Sequence, residues 1–167
     1  MRSRFLIRTS FLLAFAVCSL FLAAPQARAQ FFGSTSFISA TTIPQASRIQ
    51  TTDLVKLLKG PASARPMVLQ VGSHVMYQQA HIPGSQYAGP GANAGGLKLL
   101  TSTVASVPKD RFIVLYCGCC PWGHCPNVGP AYKRLHELGY TNVKVLYLAD
   151  NFGDDWVNKG YPVVRGQ

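Results

Sequence analysis

Long apolar segments, acidic residues and dispersed cysteines are all scarce in this sequence. No second apolar run follows the one from Phe11 to Ala24, whose 14 residues fall short of the roughly 20 that a membrane-spanning helix needs. Only six residues are acidic. No internal repeat or low-complexity tract is present. These absences favour one ordinary globular domain without a membrane span.

The first 29 residues have the composition of a secretory signal peptide. Three arginines precede the apolar run, and Ala27–Ala29 is a small-x-small cleavage pattern. We therefore expect 1–29 to be removed, leaving about 138 residues exported to the bacterial periplasm or beyond, which suffice for one domain. A lipid anchor on Cys18 is the alternative, but Val17 occupies a position where a lipoprotein signal has a small residue.

Removal of this leader changes the charge balance. Four of the 16 Lys and Arg lie in it, which leaves 12 against six acids and lowers the net charge from +10 to +6. The remaining basic residues are scattered rather than clustered in a stripe, which argues against nucleic-acid binding.

Helical and strand-like patterns alternate after residue 47. Residues 30–47 lack periodicity and are rich in Ser and Thr, which is typical of a linker or N-terminal arm. The remainder, 48–167, predicts a mostly parallel sheet with helices on both faces, an α/β class. The predicted helices are 51–59 with Thr51 as N-cap, a short one after Ser73, 97–107, one from N-cap Asn127 to Gly139, and a short one carrying Trp156. The predicted strands are 67–71, 112–116 and 143–147. Residues 89–96 are predicted to form a flexible loop.

All cysteines of the mature chain lie in one loop directly after the predicted strand 112–116. The loop consists of Cys117, Gly118, Cys119, Cys120, Pro121, Trp122, Gly123, His124 and Cys125. Ligands bind at the carboxyl ends of parallel strands, and Cys117 lies there. Loop amides and the positive end of the helix after Asn127 would lower the pKa of Cys117 and favour its thiolate.

Four motifs resemble those of the rhodanese family, in the family's order and over roughly 48–167. They are "VLQVGSHVMYQQAHIPGS" with its intact His81–Gly84 turn, "FIVLYC" leading into the catalytic cysteine, "ELGYTNV", and "WVNKGYPV". The resemblance implies a three-layer α/β/α domain. It also implies a sulfurtransferase, in which Cys117 is the nucleophile that takes sulfur from a small donor, holds it as a persulfide and passes it to a thiol acceptor. No cofactor is required by this chemistry.

The chain departs from the family pattern at the strand end and in the loop. Gln70 and Gly72 stand where the family carries Asp and Arg, Met76 where Glu is common, and Ala80 precedes the histidine. The loop runs ten positions from Cys117 to Asn127, with His124 as its only candidate cation. This composition disfavours thiosulfate, and the absent arginine excludes the related phosphatase and arsenate-reductase chemistry, which must bind an oxyanion.

The other three thiols have two further interpretations. Cys119, Cys120 or Cys125 can resolve an oxidised Cys117 as a disulfide, or Cys120 and Cys125 can form a structural disulfide. Alternatively, the soft ligand set of Cys117, Cys119, Cys120, His124 and Cys125 suits Cu(I) or Zn(II), although the spacing matches no standard zinc module.

Other residues near the motifs have structural explanations as well as functional ones. His81 is expected to stabilise its turn, and Trp156 to lie in the core. Trp122 is predicted either to cover the sulfur site, to dock a periplasmic partner protein or to pack against the loop base. A further alternative is an inactive rhodanese fold used for interaction, in which Cys117→Ser would leave partner binding intact.

Overall fold

The computed structural model describes residues 40–166. The predicted signal peptide and the linker residues 30–39 lie outside this range. The described part of the predicted linker forms two short 3-10 helices, Ala40–Thr42 and Gln45–Ser47. Ala40 and Ile43 are buried in the main core, so this segment packs on the domain.

Five parallel strands form the central sheet. They are β1 (Arg48–Ile49), β2 (Met67–Gln70), β3 (Gln86–Tyr87), β4 (Ile113–Tyr116) and β5 (Val143–Leu146). The spatial order is β1-β5-β4-β2-β3, so β4 is the central strand. Every pair is parallel, and Gln70 of β2 lies in register with Tyr116 of β4. The carboxyl ends of β2, β4 and β5 therefore meet at one edge of the sheet.

In the described residues, the α-helices that complete the layers are α1 (Thr51–Lys59), α2 (His74–Gln79), α3 (Ala94–Val104) and α4 (Val128–Glu137). Short 3-10 helices lie at Ala62–Ala64 and Trp122–His124, and a π-helical turn, Gly153–Val157, follows β5. Within 40–166, no helix is long and apolar enough to cross a membrane.

The two faces of β4 contribute to different hydrophobic clusters. Ile113 and Leu115 face the cluster that includes buried residues of α3 and α4, whereas Val114 and Tyr116 face the one that includes Leu54 of α1. This alternation follows from the two-residue period of a strand. Cys117 continues the first face and joins the cluster on the α4 side.

Some predicted boundaries differ from those observed. Helix α1 has Gln50 rather than Thr51 at its N-cap, because Gln50 is the last extended residue. Helix α3 begins three residues earlier than predicted, because the Asn93 side chain accepts a hydrogen bond from the amide of Gly96. The preceding segment, predicted to be a flexible loop, is anchored by the bond from the Gly91 amide to the Val71 carbonyl.

Candidate active site

Cys117 lies at the carboxyl end of the central strand with its thiol directed into the protein. Its residue surface is only 3% exposed. The Asn127 side-chain amide donates to the Cys117 sulfur at 3.3 Å. A Cβ at Gly72 would lie 2.9 Å from that sulfur, so glycine at this strand end leaves the space that the thiol occupies. Gly72, which stands where the family carries Arg, is therefore part of the site.

The four loop cysteines form one contiguous cluster of free thiols. The sulfur of Cys119 lies 3.2 Å from that of Cys117 and 2.9 Å from that of Cys120. The sulfurs of Cys117, Cys119 and Cys125 lie within 4.8 Å of one another. The disulfide between Cys120 and Cys125 that the sequence offered as an alternative is not formed in this structure.

The loop is held at both ends by backbone contacts. Gly118 has a positive φ of 81°, and a Cβ there would lie 2.4 Å from Phe152, so the position needs glycine. The Phe152 amide donates to the Gly118 carbonyl, and the Trp122 amide donates to the Ala149 carbonyl, both at 3.1 Å. The segment after β5 therefore fixes the loop over the sheet edge.

The start of α4 contacts the cysteine sulfurs differently from the prediction. Asn127 is the N-cap residue, as expected, but its side chain makes no capping hydrogen bond. Its amide oxygen instead accepts from the Ala92 amide at 3.0 Å, and its amide nitrogen lies 3.3 Å and 3.8 Å from the sulfurs of Cys117 and Cys119. The backbone amides of Asn127 and Val128 hydrogen-bond the sulfur of Cys125 rather than that of Cys117.

These contacts place negative charge on a different sulfur from the one expected. The pKa of Cys117 is raised by its hydrogen bonds to Cys119 and Cys125 and by burial. The pKa of Cys119 is lowered, mainly because Cys117 and Cys125 donate hydrogen bonds to its thiolate. The prediction of a lowered pKa at Cys117 is therefore wrong. A buried thiol loses more solvation on ionising than an exposed one, so the cluster carries its thiolate at Cys119.

An open groove of about 380 Å³ gives access to the cluster. Its lining includes Cys119 and Cys120, and the opposite wall comes from α2 and the segment 150–153. Among the described lining residues, the only charged one is Asp150. A second, much smaller hollow of about 10 Å³ borders Cys117, Cys125, Trp122 and Leu148.

The remaining predicted residues lie around the cluster without joining it. His124 is exposed, and its carbonyl rather than its ring lies against Cys120, 3.5 Å from the sulfur. Trp122 turns inward, with its ring 5.1 Å from that of Tyr147 and the Arg48 guanidinium 5.0 Å above it. Trp122 therefore packs against the loop base. Pro121 and Gly123 are exposed.

The His81–Gly84 turn before β3 has a structural role. His81 is buried, its Nδ1 pairs with the Tyr77 carbonyl at 2.8 Å, and its ring stacks on that of Tyr77. The Tyr116 hydroxyl accepts from the Ile82 amide. Burial is the main cause that raises the pKa of Tyr116 to about 12, so this hydroxyl stays neutral and fixes the turn to the strand that ends at Cys117.

Sequence reasoning did not identify three contributors to the site. Asn127 was expected only as a helix cap, and Gly72 only as a departure from the family pattern. Asp150 and its neighbours in the groove wall follow β5 without any chemical motif. Only their position at the carboxyl end of a strand that neighbours β4 could have indicated that they face the loop.

Comparison with known proteins places this geometry in a known fold. No protein-family model and no curated protein matches the chain. Solved structures do. The rhodanese-like domain of the Alr3790 protein from Anabaena sp. has 20% identity over 71% of this chain and 79% of its own, with a TM-score of 0.52. The BH2092 protein from Bacillus halodurans has 23% identity over 71% of this chain and 76% of its own, with a TM-score of 0.54.

EanB is a further structural neighbour. One of its structures, described as a cysteine persulfide with ergothioneine, has 24% identity over 71% of this chain and 28% of its own, with a TM-score of 0.53. At these identities the likeness concerns the fold alone. The chain has the rhodanese-like α/β/α fold, as its motifs predicted.

Proposed function

We propose that this protein is an exported sulfurtransferase that holds sulfane sulfur as a persulfide on Cys117 and passes it to a thiol acceptor. The observation that carries the proposal is the position of a buried, free thiol at the carboxyl end of the central strand, beside a donor amide from Asn127. In a rhodanese-like fold this edge of the sheet is where a ligand binds. EanB, which shares the fold, carries a cysteine persulfide in the structure described above.

The surroundings of Cys117 suit a stored sulfur atom. The hollow beside it has room for about one small atom, and residues such as Leu148 and Val128 line it. A persulfide there would be withdrawn from bulk water, with the thiols of Cys120 and Cys125 bordering the same hollow. The Asn127 amide supplies a fixed donor to a negatively charged sulfur, which is electrostatic stabilisation by a preorganised dipole.

A transfer assay tests this proposal. The mature protein is incubated with an organic persulfide and a thiol acceptor, and the persulfide of the acceptor is measured by mass spectrometry. We expect catalysed transfer by the wild type and much slower transfer by Cys117→Ser. A useful control is the double variant Cys117→Ser, Ser102→Cys. It restores the total number of thiols in the protein by placing one at an exposed position of α3. If this double variant transfers sulfur as the wild type does, the site has no special role.

A second candidate function is binding of a soft metal ion by three thiolates. The observation in its favour is that the sulfurs of Cys117, Cys119 and Cys125 lie within 4.8 Å of one another. Three thiolates suit Cu(I), which binds soft sulfur ligands. Zn(II) prefers four ligands in a tetrahedron, and His124 does not belong to the group that the structure brings together.

Anaerobic titration with Cu(I) tests the second candidate. One tightly bound ion per chain is expected in the wild type, and Cys125→Ser should lose it. Cys120→Ser should retain the ion, because the Cys120 sulfur is outside the three-sulfur group. Absence of stoichiometric binding in the wild type would exclude this function.

A further inference from the structure

We propose that Cys119 is the thiol that attacks the sulfur donor and that it then passes the sulfur to Cys117. This inference rests on the proposed sulfurtransferase function and assigns its first step to a different residue. The resemblance to rhodaneses implies direct attack by Cys117. The arrangement of the thiols favours a two-step relay instead.

Access distinguishes the two sulfurs. Cys119 is the only exposed cysteine of the four and lines the 380 Å³ groove, whereas Cys117 is 3% exposed and is absent from that lining. A donor that enters the groove therefore meets Cys119 first. Cys120 also lines the groove, but its thiol contacts the His124 carbonyl, whereas Cys119 receives a hydrogen bond from Cys117.

Proximity makes a handover between the two sulfurs feasible. Their separation of 3.2 Å is within the reach of sulfur exchange in a bound complex. The amide nitrogen of Asn127 lies 3.3 Å from the Cys117 sulfur and 3.8 Å from the Cys119 sulfur. One fixed donor can thus stabilise negative charge on either sulfur as the reaction proceeds.

Both steps are balanced without an oxidant. In the first, the Cys119 thiolate attacks the outer sulfur of a persulfide, R–S–SH; a bond to that sulfur forms, the donor S–S bond breaks, and R–S⁻ leaves. In the second, Cys117 attacks the same sulfur, the bond to Cys119 breaks, and Cys119 recovers its electron pair as thiolate. The transferred sulfur keeps the hydrogen that it had in the donor, and the thiol proton of Cys117 passes to the departing R–S⁻, so Cys117 ends as the persulfide and R–SH is released.

The groove also indicates the class of donor. Its described lining includes apolar side chains such as Met76, Phe152 and Val157, and its only charged residue is Asp150. An oxyanion would meet a carboxylate and no lysine or arginine there. The donor class that fits is therefore an uncharged or cationic organic persulfide rather than thiosulfate.

Site-resolved loading tests the relay. The full mature chain, reduced and metal-free, is mixed with cysteamine persulfide, quenched with an alkylating agent and digested, so that sulfur on each cysteine is located by mass spectrometry. In the wild type we expect sulfur to end on Cys117. Cys117→Ser should gain sulfur on Cys119 and lose it faster than the wild type loses it from Cys117, and Cys119→Ser should load Cys117 at least about tenfold more slowly. Thiosulfate should load the wild type more slowly than cysteamine persulfide.

Several results would overturn the relay. These are loading of Cys117 at the wild-type rate in Cys119→Ser, no gain of sulfur by Cys117→Ser, and formation of a Cys117–Cys119 disulfide with release of hydrosulfide. No loading of the wild type by either donor would reject the proposed function as well. Should a variant fail to fold, brief treatment of the wild type with iodoacetamide blocks the exposed Cys119 before the buried Cys117. The relay predicts that Cys117 in the blocked protein loads at least about tenfold more slowly than in the untreated protein, and an unchanged loading rate would overturn it.

Discussion

The Cys119 thiol combines exposure with hydrogen bonds from its neighbours, and this combination makes it acidic. Its pKa is lowered chiefly by hydrogen bonds from Cys117 and Cys125, whereas the pKa of Cys117 is raised by its own hydrogen bonds to Cys119 and Cys125 and then by burial. The thiolate is the reactive form of cysteine. The proposed relay assigns reactivity to Cys119 and storage to Cys117, whose sulfurs lie 3.2 Å apart.

A pH profile of alkylation checks this charge assignment. An ordinary thiol has a pKa of about 8.5, so its reaction with iodoacetamide slows by about two orders of magnitude between about pH 8 and about pH 6. Because its pKa is lowered, Cys119 should react at a nearly constant rate over this interval. A decline at Cys119 as steep as that of a free thiol would show that the charge does not lie there.

Substitution of Gly72 tests whether the Cys117 sulfur needs the space that this glycine leaves. A Cβ at this position would lie 2.9 Å from the Cys117 sulfur and 2.8 Å from the Gln70 side-chain nitrogen. We expect Gly72→Ala to displace the Cys117 thiol and to shorten the lifetime of its persulfide, as measured by mass spectrometry over time. Gly95→Ala is the matched control, because its Cβ would meet only the Asn93 side-chain oxygen, at 3.5 Å. Equal lifetimes in the two variants would contradict the role of Gly72.

At the scale of elements, the start of α4 connects three parts of the site. Asn127 joins the segment before α3, through the Ala92 amide, to the sulfurs at the end of β4. A residue predicted as a helix cap thus positions the thiols. The capping function itself is not performed by its side chain.

The substitution Asn127→Asp separates the two contacts of this side chain, acceptance from the Ala92 amide and donation to the cysteine sulfurs. The carboxylate keeps an acceptor for the Ala92 amide and is a favourable N-cap residue, but it removes the amide donor and adds negative charge beside the thiolate. We expect the melting temperature to change little, while the pKa of Cys119 rises, so that its alkylation rate begins to fall at a higher pH than in the wild type. An unchanged alkylation profile would show that the Asn127 amide does not stabilise the thiolate.

Periodic elements were predictable from sequence, whereas very short ones were not. The apolar runs gave β2, β4 and β5 to within a residue or so, and Ser73 was correctly followed by α2. Strands β1 and β3 have two residues each, too few to show a two-residue alternation. Their place in the sheet depends on long-range pairing with β5 and β2.

At the scale of the whole molecule, the sequence predicted where the candidate site lies but not how its sulfurs differ in exposure and pKa. The position of Cys117 at a strand end followed from fold logic and from the rhodanese motifs. The groove wall around Asp150 and the lowered pKa of Cys119 depend on how separate segments meet in space. Spacing along the chain carries no information about such encounters.

Export is a further whole-molecule prediction. The predicted signal peptide, 1–29, should be removed on secretion by a bacterial host, so the intact mass of the periplasmic protein should correspond to a chain that starts near Gln30. A cytoplasmic protein that retains its first 29 residues would contradict the export prediction. Replacing the apolar run from Phe11 to Ala24 with polar residues should abolish cleavage.

The central claim is that sulfur is held on Cys117, and intact mass tests it most directly. The reduced mature protein is weighed before and after exposure to an organic persulfide, with Cys117→Ser alongside, and then again after treatment with a reducing thiol. We predict that the wild type retains one additional sulfur atom that the reductant removes, and that Cys117→Ser does not retain it stably. A wild type that gains no sulfur, or a variant that holds it equally long, would contradict the account.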